Sequence, residues 1–64
     1  MPDRNRANYH IVRYVDDAGH WRWTMTDRRN NEVVGASHES FAEARDCDHN
    51  LFINTGWTTD EVKS

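Results

Sequence analysis

The sequence predicts an α+β domain in which three antiparallel strands precede one helix. Three observations predict this class. Large apolar residues alternate with polar ones over residues 19–25, as in a strand with one buried face. Turn-forming residues at positions 16–19 and 28–31 separate this segment from two β-branched segments. A Ser40-Phe41-Ala42-Glu43 capping box then marks the start of a helix.

Length and composition limit the chain to one small domain. Sixty-four residues bury only about 60% of the unfolded surface, and Leu, Ile, Val and Phe together number ten. Seven aromatic residues supply the remaining core area. Cys47 is the only cysteine, which excludes an intrachain disulfide and fits a reducing, cytoplasmic location. No apolar run is long enough for a membrane span or a signal peptide, so we expect a soluble protein.

The first hairpin is predicted from residue 9 onward. Residues 1–8 are polar and unpatterned, so we expect a disordered N-terminal tail, with the single domain covering residues 9–64. Tyr9–Val15 is rich in β-branched and aromatic residues and forms the first strand. Asp side chains and Gly19 form the turn that follows. The second strand covers about residues 20–26, where Trp23 is predicted to lie in the core.

The third strand is predicted at Glu32–Ala36 and completes a meander. Either Asn30 or Asn31 tolerates the left-handed conformation that a tight turn requires. Gly35 and Ala36 are small, so we expect the helix to approach the sheet closely there.

The helix is predicted to begin at the capping box and to end at Gly56. Its apolar stripe consists of Phe41, Ala44, Cys47, Leu51 and Phe52. Asp48 falls inside this stripe, where it either lies at the helix edge or pairs with an Arg or a Trp indole N–H. Gly56 suits the C′ position, which would place Trp57 on Phe52.

This order of elements resembles the YegP-like family of short proteins. The matching residues, over positions 9 to about 54, are Tyr9, Ile11, Ala18-Gly19, Trp21-Arg22-Trp23, Met25, the segment N-N-E-V-V-G-A-S at 30–37, Phe41 and Asn50-Leu51. The chain departs from the family pattern at Asn31, where a Gly is usual, and at Thr24, where a basic residue is usual. The resemblance implies that two repeats share one sheet by exchanging C-terminal strands. This chain has one repeat, so the resemblance implies a strand-exchanged homodimer.

Two further observations agree with a homodimer. The small core leaves a monomer poorly stabilised, and three strands leave two unprotected sheet edges. Residues 1–31 carry six basic and four acidic residues, whereas the remainder carries two basic and seven acidic ones. The two parts of two copies could attract each other, but a solvated surface is the simpler interpretation of this asymmetry. Residues 57–62 would form the exchanged strand. Asp60 and Glu61 are poor strand formers, however, and the alternative is a disordered tail with sheets paired along an edge.

The sequence predicts no catalytic residues, no cofactor and no metal. Cys47 and His49 lie two positions apart on a helix and point about 200° away from each other. His20 and His38 flank turns, where a surface role is the simpler interpretation. We interpret Cys47 as inert core packing.

Two functions from different classes remain open. The first is a non-catalytic protein-interaction module in which the outer sheet face meets a protein partner through Tyr14, Arg13, Arg22 and Thr24. The second is a nucleic-acid-binding module that uses the same face to stack bases and hold phosphates. A net charge of −3 with only eight cations favours the protein partner over nucleic acid.

Overall fold

A four-stranded mixed sheet forms the centre of the computed structural model, which describes residues 5–63. The main elements along the chain are β1 (Tyr9–Val15), β2 (Trp21–Asp27), β3 (Glu32–Ala36), α1 (Ala44–Thr55) and β4 (Glu61–Lys63). The strands β1, β2 and β3 pair antiparallel, while β4 pairs parallel with β1, which gives the sheet order β3-β2-β1-β4. The α+β class is therefore confirmed, and the bounds of β1 and β3 agree with the predicted ones.

The order of elements differs from the prediction at both ends. A turn of 3-10 helix at Arg6–Asn8 precedes β1, so the folded part begins before the predicted boundary at residue 9. The rest of the predicted disordered tail, residues 1–4, lies outside the described residues. At the other end, β4 is shorter than the predicted strand and lies beside β1 of its own chain.

Both hairpin turns use the predicted residues. Asp16 Oδ1 accepts hydrogen bonds from the backbone N–H groups of Ala18 and His20 at 2.9 and 3.0 Å. Gly19 adopts φ +81° and Asn31 adopts φ +59°, both in the left-handed region. The β2–β3 pairing contains a bulge, because Met25 faces Gly35 whereas Thr26 faces Val33, which leaves Val34 as an extra residue.

The sheet has an inner face, which α1 covers, and an outer face. Residues opposite each other on paired strands share a face. The inner face carries Ile11, Trp23 and Met25, and its core is completed by Cys47 and Leu51 from α1. The outer face consists of His10, Val12 and Tyr14 on β1, Arg22, Thr24 and Thr26 on β2, Val33 and Ala36 on β3, and Glu61 and Lys63 on β4.

The helix begins later than the capping box predicts. Phe41 forms an isolated bridge with Trp21: the Trp21 N–H donates to the Phe41 carbonyl at 2.7 Å, and the reverse bond is 2.9 Å long. This pairing keeps the backbone of Phe41 extended beside β2, so Ser40 cannot cap a helix. The N-cap is Glu43 instead, and α1 starts at Ala44.

The buried stripe of α1 also differs from the predicted one. Cys47, Leu51 and Thr55 are its buried residues, while Phe52 is 57% exposed. The Thr55 hydroxyl is satisfied inside the fold, because it donates to the Leu51 carbonyl at 2.8 Å and accepts the Trp57 N–H at 3.0 Å. Gly56 ends the helix at φ +77° as predicted. Trp57, which was predicted to pack on Phe52, lies against Tyr9, with 5.6 Å between ring centroids.

Candidate functional site

Three of the four predicted partner-binding residues lie together on the outer face. Tyr14 is directly opposite Arg22, and Thr24 is the next outer-face residue of β2, opposite Val12. Tyr14, Arg22, Thr24 and Val12 are all half-buried. Within residues 5–63, the helix covers only the inner face, so the middle of the outer face presents an aromatic ring, a valine and a threonine to its surroundings.

The Arg22 guanidinium is neutralised on this face. Its Nε donates to Asp16 Oδ2 at 2.6 Å. The hydrogen bond from Arg22, together with the backbone N–H groups of His20 and Ala18, holds the pKa of Asp16 below its ordinary value. The same contact with Asp16 raises the pKa of Arg22. Because the two opposite charges are paired, the site offers little free positive charge.

Arg13 does not belong to the outer face, which corrects the prediction. It alternates in register with Ile11 and Val15, so its side chain lies on the inner side, opposite Trp23. There it forms an ion pair with Asp48 of α1 and lies over the Trp21 ring at 4.8 Å. Asp48 was expected to pair with an Arg or a Trp indole N–H, and Arg13 is that partner.

The indole of Trp23 finds a different partner on the helix. Its Nε1–H donates to Asn50 Oδ1 at 2.9 Å, and Trp23 as a whole is only 4% exposed. A buried indole N–H without an acceptor would be costly, so this bond fixes the position of α1 over β2.

A polar clasp, which we define as Arg6, Ile11 and Asp60, fastens the C-terminal segment to β1. Asp60 Oδ2 accepts the Ile11 N–H at 2.9 Å, and the Asp60 N–H donates to the Ile11 carbonyl at 2.9 Å. The Arg6 guanidinium pairs with the same Asp60 carboxylate at 2.7 Å. It also donates to the carbonyls of Tyr9 and Thr58 and lies 5.3 Å above the Trp57 ring. The sequence does not predict this clasp, since Asp60 was expected only to be a poor strand former.

The clasp keeps Asp60 ionised. Burial alone would raise the pKa of Asp60, but the Ile11 N–H and the Arg6 guanidinium outweigh burial and lower the pKa. His10 lies nearby on β1, 3.9 Å from Asp60 and 3.4 Å from Glu61. Its Nδ1 also lies 3.1 Å from Arg28 of the β2–β3 turn.

A groove of about 480 Å³ lies between β3 and the C-terminal half of α1. Its lining includes Trp23, Met25, Gly35, Asn50 and Asn54. Gly35 was predicted to admit the helix, but it is side chains of β2 that approach it. A Cβ at Gly35 would lie 3.3 Å from Met25 Cε and 3.6 Å from Trp23 Cζ3.

No cluster of three or more His, Cys, Asp or Glu side chains is arranged to hold a metal ion among the described residues. Cys47 is fully buried, and burial together with the neighbouring Asp48 raises the pKa of its thiol. A buried thiol with a raised pKa is a poor nucleophile, which agrees with its interpretation as core packing.

The comparisons with known proteins add no relative. No protein-family model, no curated protein and no solved structure matches the chain. The resemblance to the YegP-like family therefore stays a prediction that depends on the quoted residues. Across residues 5–63, no helix has the length and apolar character needed to cross a membrane.

Proposed function

We propose that the protein is a cytoplasmic, non-catalytic interaction module that forms a homodimer and meets a protein partner through the outer face. The observation that carries this proposal is the uneven covering of the sheet. The helix covers the inner face, whereas the outer face keeps Val12, Tyr14 and Thr24 in its middle with no described layer over them. A sheet face with apolar and aromatic residues at its middle and paired charges around them suits a protein interface.

The charge of the outer face supports a protein partner over nucleic acid. Phosphate binding requires cations that are free to replace counterions. Arg22 is already paired with Asp16, and Lys63 lies 3.5 Å from Glu61. The outer face therefore has a near-neutral charge, in a chain whose net charge is −3.

The proposed homodimer forms by exchange of the segment that follows Gly56, as the YegP-like resemblance implies. All three residues of β4 are exposed, and this strand is attached to the sheet through β1 alone. The clasp and the Trp57–Tyr9 contact join parts of the chain that are far apart in sequence. A second copy could make the same contacts with β1, since only the path of the connection after Gly56 would change.

A disulfide between β1 and β4 tests the exchange. Val12 and Glu61 are paired neighbours in the parallel ladder, which are about 4.8 Å apart and within disulfide range. In a Cys47→Ala background, Val12→Cys with Glu61→Cys should oxidise to a covalent dimer that carries two interchain bonds. Denaturing electrophoresis without reductant separates the covalent dimer from the monomer. If the two cysteines form an intrachain bond and only monomer is seen, strand exchange is contradicted.

Affinity capture tests the outer face. The wild-type protein and a Tyr14→Ala, Thr24→Ala variant are used as baits in native extract, with and without nuclease. The proposal predicts a protein partner that survives nuclease and is lost with the variant. A matched bait, Phe52→Ala, changes an exposed apolar residue on α1 and should retain the partner. Loss of the captured material on nuclease treatment would favour the nucleic-acid function.

A further inference from the structure

The sheet has two edges within the described residues, and they differ in character. β4 is three residues long and carries Glu61 and Lys63, which are features that discourage pairing with another chain. β3 is five residues long, contains neither lysine nor proline, and exposes Val33 at 63% and Val34 at 50%. The edge of β3 is thus the one open to strand addition.

The backbone groups of Ala36, at the end of β3, are directed toward this open side. The Ser37 N–H donates to the Trp23 carbonyl at 2.9 Å, and the Trp23 N–H donates to the Ser37 hydroxyl at 3.3 Å, so Ser37 is bonded to β2. Hydrogen-bonded and non-bonded pairs alternate along an antiparallel ladder. The preceding residue, Ala36, therefore points its N–H and C=O away from β2, where an added strand would meet them.

The groove beside β3 offers space for side chains of an added strand. It is about 480 Å³ in volume, and both Val34 and Gly35 line it. Asn50 and Asn54 of α1 form the opposite wall. Gly35 adds no side chain to the groove, and a Cβ there would lie 3.3–3.6 Å from atoms of Met25 and Trp23, which also line it.

Two glutamates flank the open edge. Glu32 begins β3, and Glu39 lines the groove just beyond the end of the strand. Both are exposed, and no salt bridge to either is found in the described part of the chain. They are seven positions apart in the sequence, on either side of the exposed part of the strand. An added strand with a basic residue near each end would complement this charge.

We propose that β3 and its groove bind an extended peptide segment, with an apolar centre and basic residues near both ends, by strand addition. Backbone hydrogen bonds to the edge would hold the segment, and alternate side chains would enter the groove. The site uses neither the outer-face residues Tyr14 and Arg22 nor the strand that the proposed homodimer exchanges. Its success or failure is consequently separate from that of the proposed function.

Fluorescence anisotropy with a labelled synthetic peptide of sequence KTVTVTK provides the test. We expect saturable binding that weakens at higher salt. The matched peptide ETVTVTE should bind at least threefold more weakly, and KTVTVTK with N-methylated alternate amides should show no measurable binding, because N-methylation removes backbone donors. Equal binding of the N-methylated peptide would overturn strand addition.

Protein variants locate the site. Glu32→Gln with Glu39→Gln should weaken KTVTVTK binding at least threefold without affecting the fold, and Gly35→Val should weaken it at least tenfold by filling the groove. The control variant Tyr14→Ala with Thr24→Ala should bind as the wild type does. Unchanged affinity in both site variants, or absence of saturable binding by the wild type, would overturn the proposal. A wild-type protein with a solution mass larger than a dimer, reduced by the substitution Val34→Lys, would show that the β3 edge binds another copy of the chain. That result would also overturn the proposal.

Discussion

Trp23→Ala should remove most of the stability of this domain. The indole is 4% exposed, contacts the buried core, and donates its N–H to Asn50 at 2.9 Å. Truncation of a buried Trp to Ala costs about 3–5 kcal/mol. A domain of this size has about 3–10 kcal/mol of unfolding free energy in total. We therefore expect Trp23→Ala to be largely unfolded at 37 °C.

A milder variant and a matched control keep this prediction measurable. Trp23→Phe retains an aromatic ring and loses the N–H donor and some apolar area, so it should cost about 1–2 kcal/mol. Phe52→Ala removes a ring that is 57% exposed and should cost much less than Trp23→Ala. Chemical unfolding followed by circular dichroism measures all three. A Trp23→Ala variant that unfolds at the same denaturant concentration as Phe52→Ala would refute the assignment of Trp23 to the core.

Three other predictions concern charge and the C-terminal segment. The pKa values of Asp16, Asp27 and Asp60 lie below their ordinary value of 3.8 in the folded state. Protonation of these carboxylates therefore favours the unfolded state, and the free energy of unfolding should fall as the pH drops below about 4. Thermal melts at several pH values check this. Asp60→Asn should speed amide exchange at Ile11, measured by NMR, whereas Asp17→Asn in the exposed turn should not. Labelled nucleic acid should show no salt-sensitive micromolar binding in fluorescence anisotropy, and binding that Arg22→Ala abolishes would contradict the neutral outer face.

The hairpins could be predicted from the sequence because their signals are local. Alternation over β2 and the turn residues Gly19 and Asn31 act within a few positions of each other. The capping box is local too, but it failed, since the Trp21–Phe41 bridge competes for the same backbone and delays the helix. Tertiary pairing outweighed a cap whose contribution is typically about 1 kcal/mol.

The candidate surfaces were predicted less well than the strands. Arg13 was predicted on the outer face, but its register with Ile11 in the structure places it on the inner side. Arg13 can lie on the inner side because its charge is paired with Asp48 of α1, which is 35 residues away in the sequence. The clasp joins Ile11 to Asp60 across 49 positions, and no short-range pattern predicts such a contact.

Sedimentation equilibrium combined with thermal melting over a range of protein concentrations tests the homodimer most directly. For the homodimer we expect a mass twice the 7.6 kDa of the chain and a melting temperature that rises with concentration, because folding and association are then one event. Truncation after Gly56 should abolish both the dimer and the fold. A mass of 7.6 kDa with a melting temperature independent of concentration would show that the chain is a monomer and contradict the homodimer.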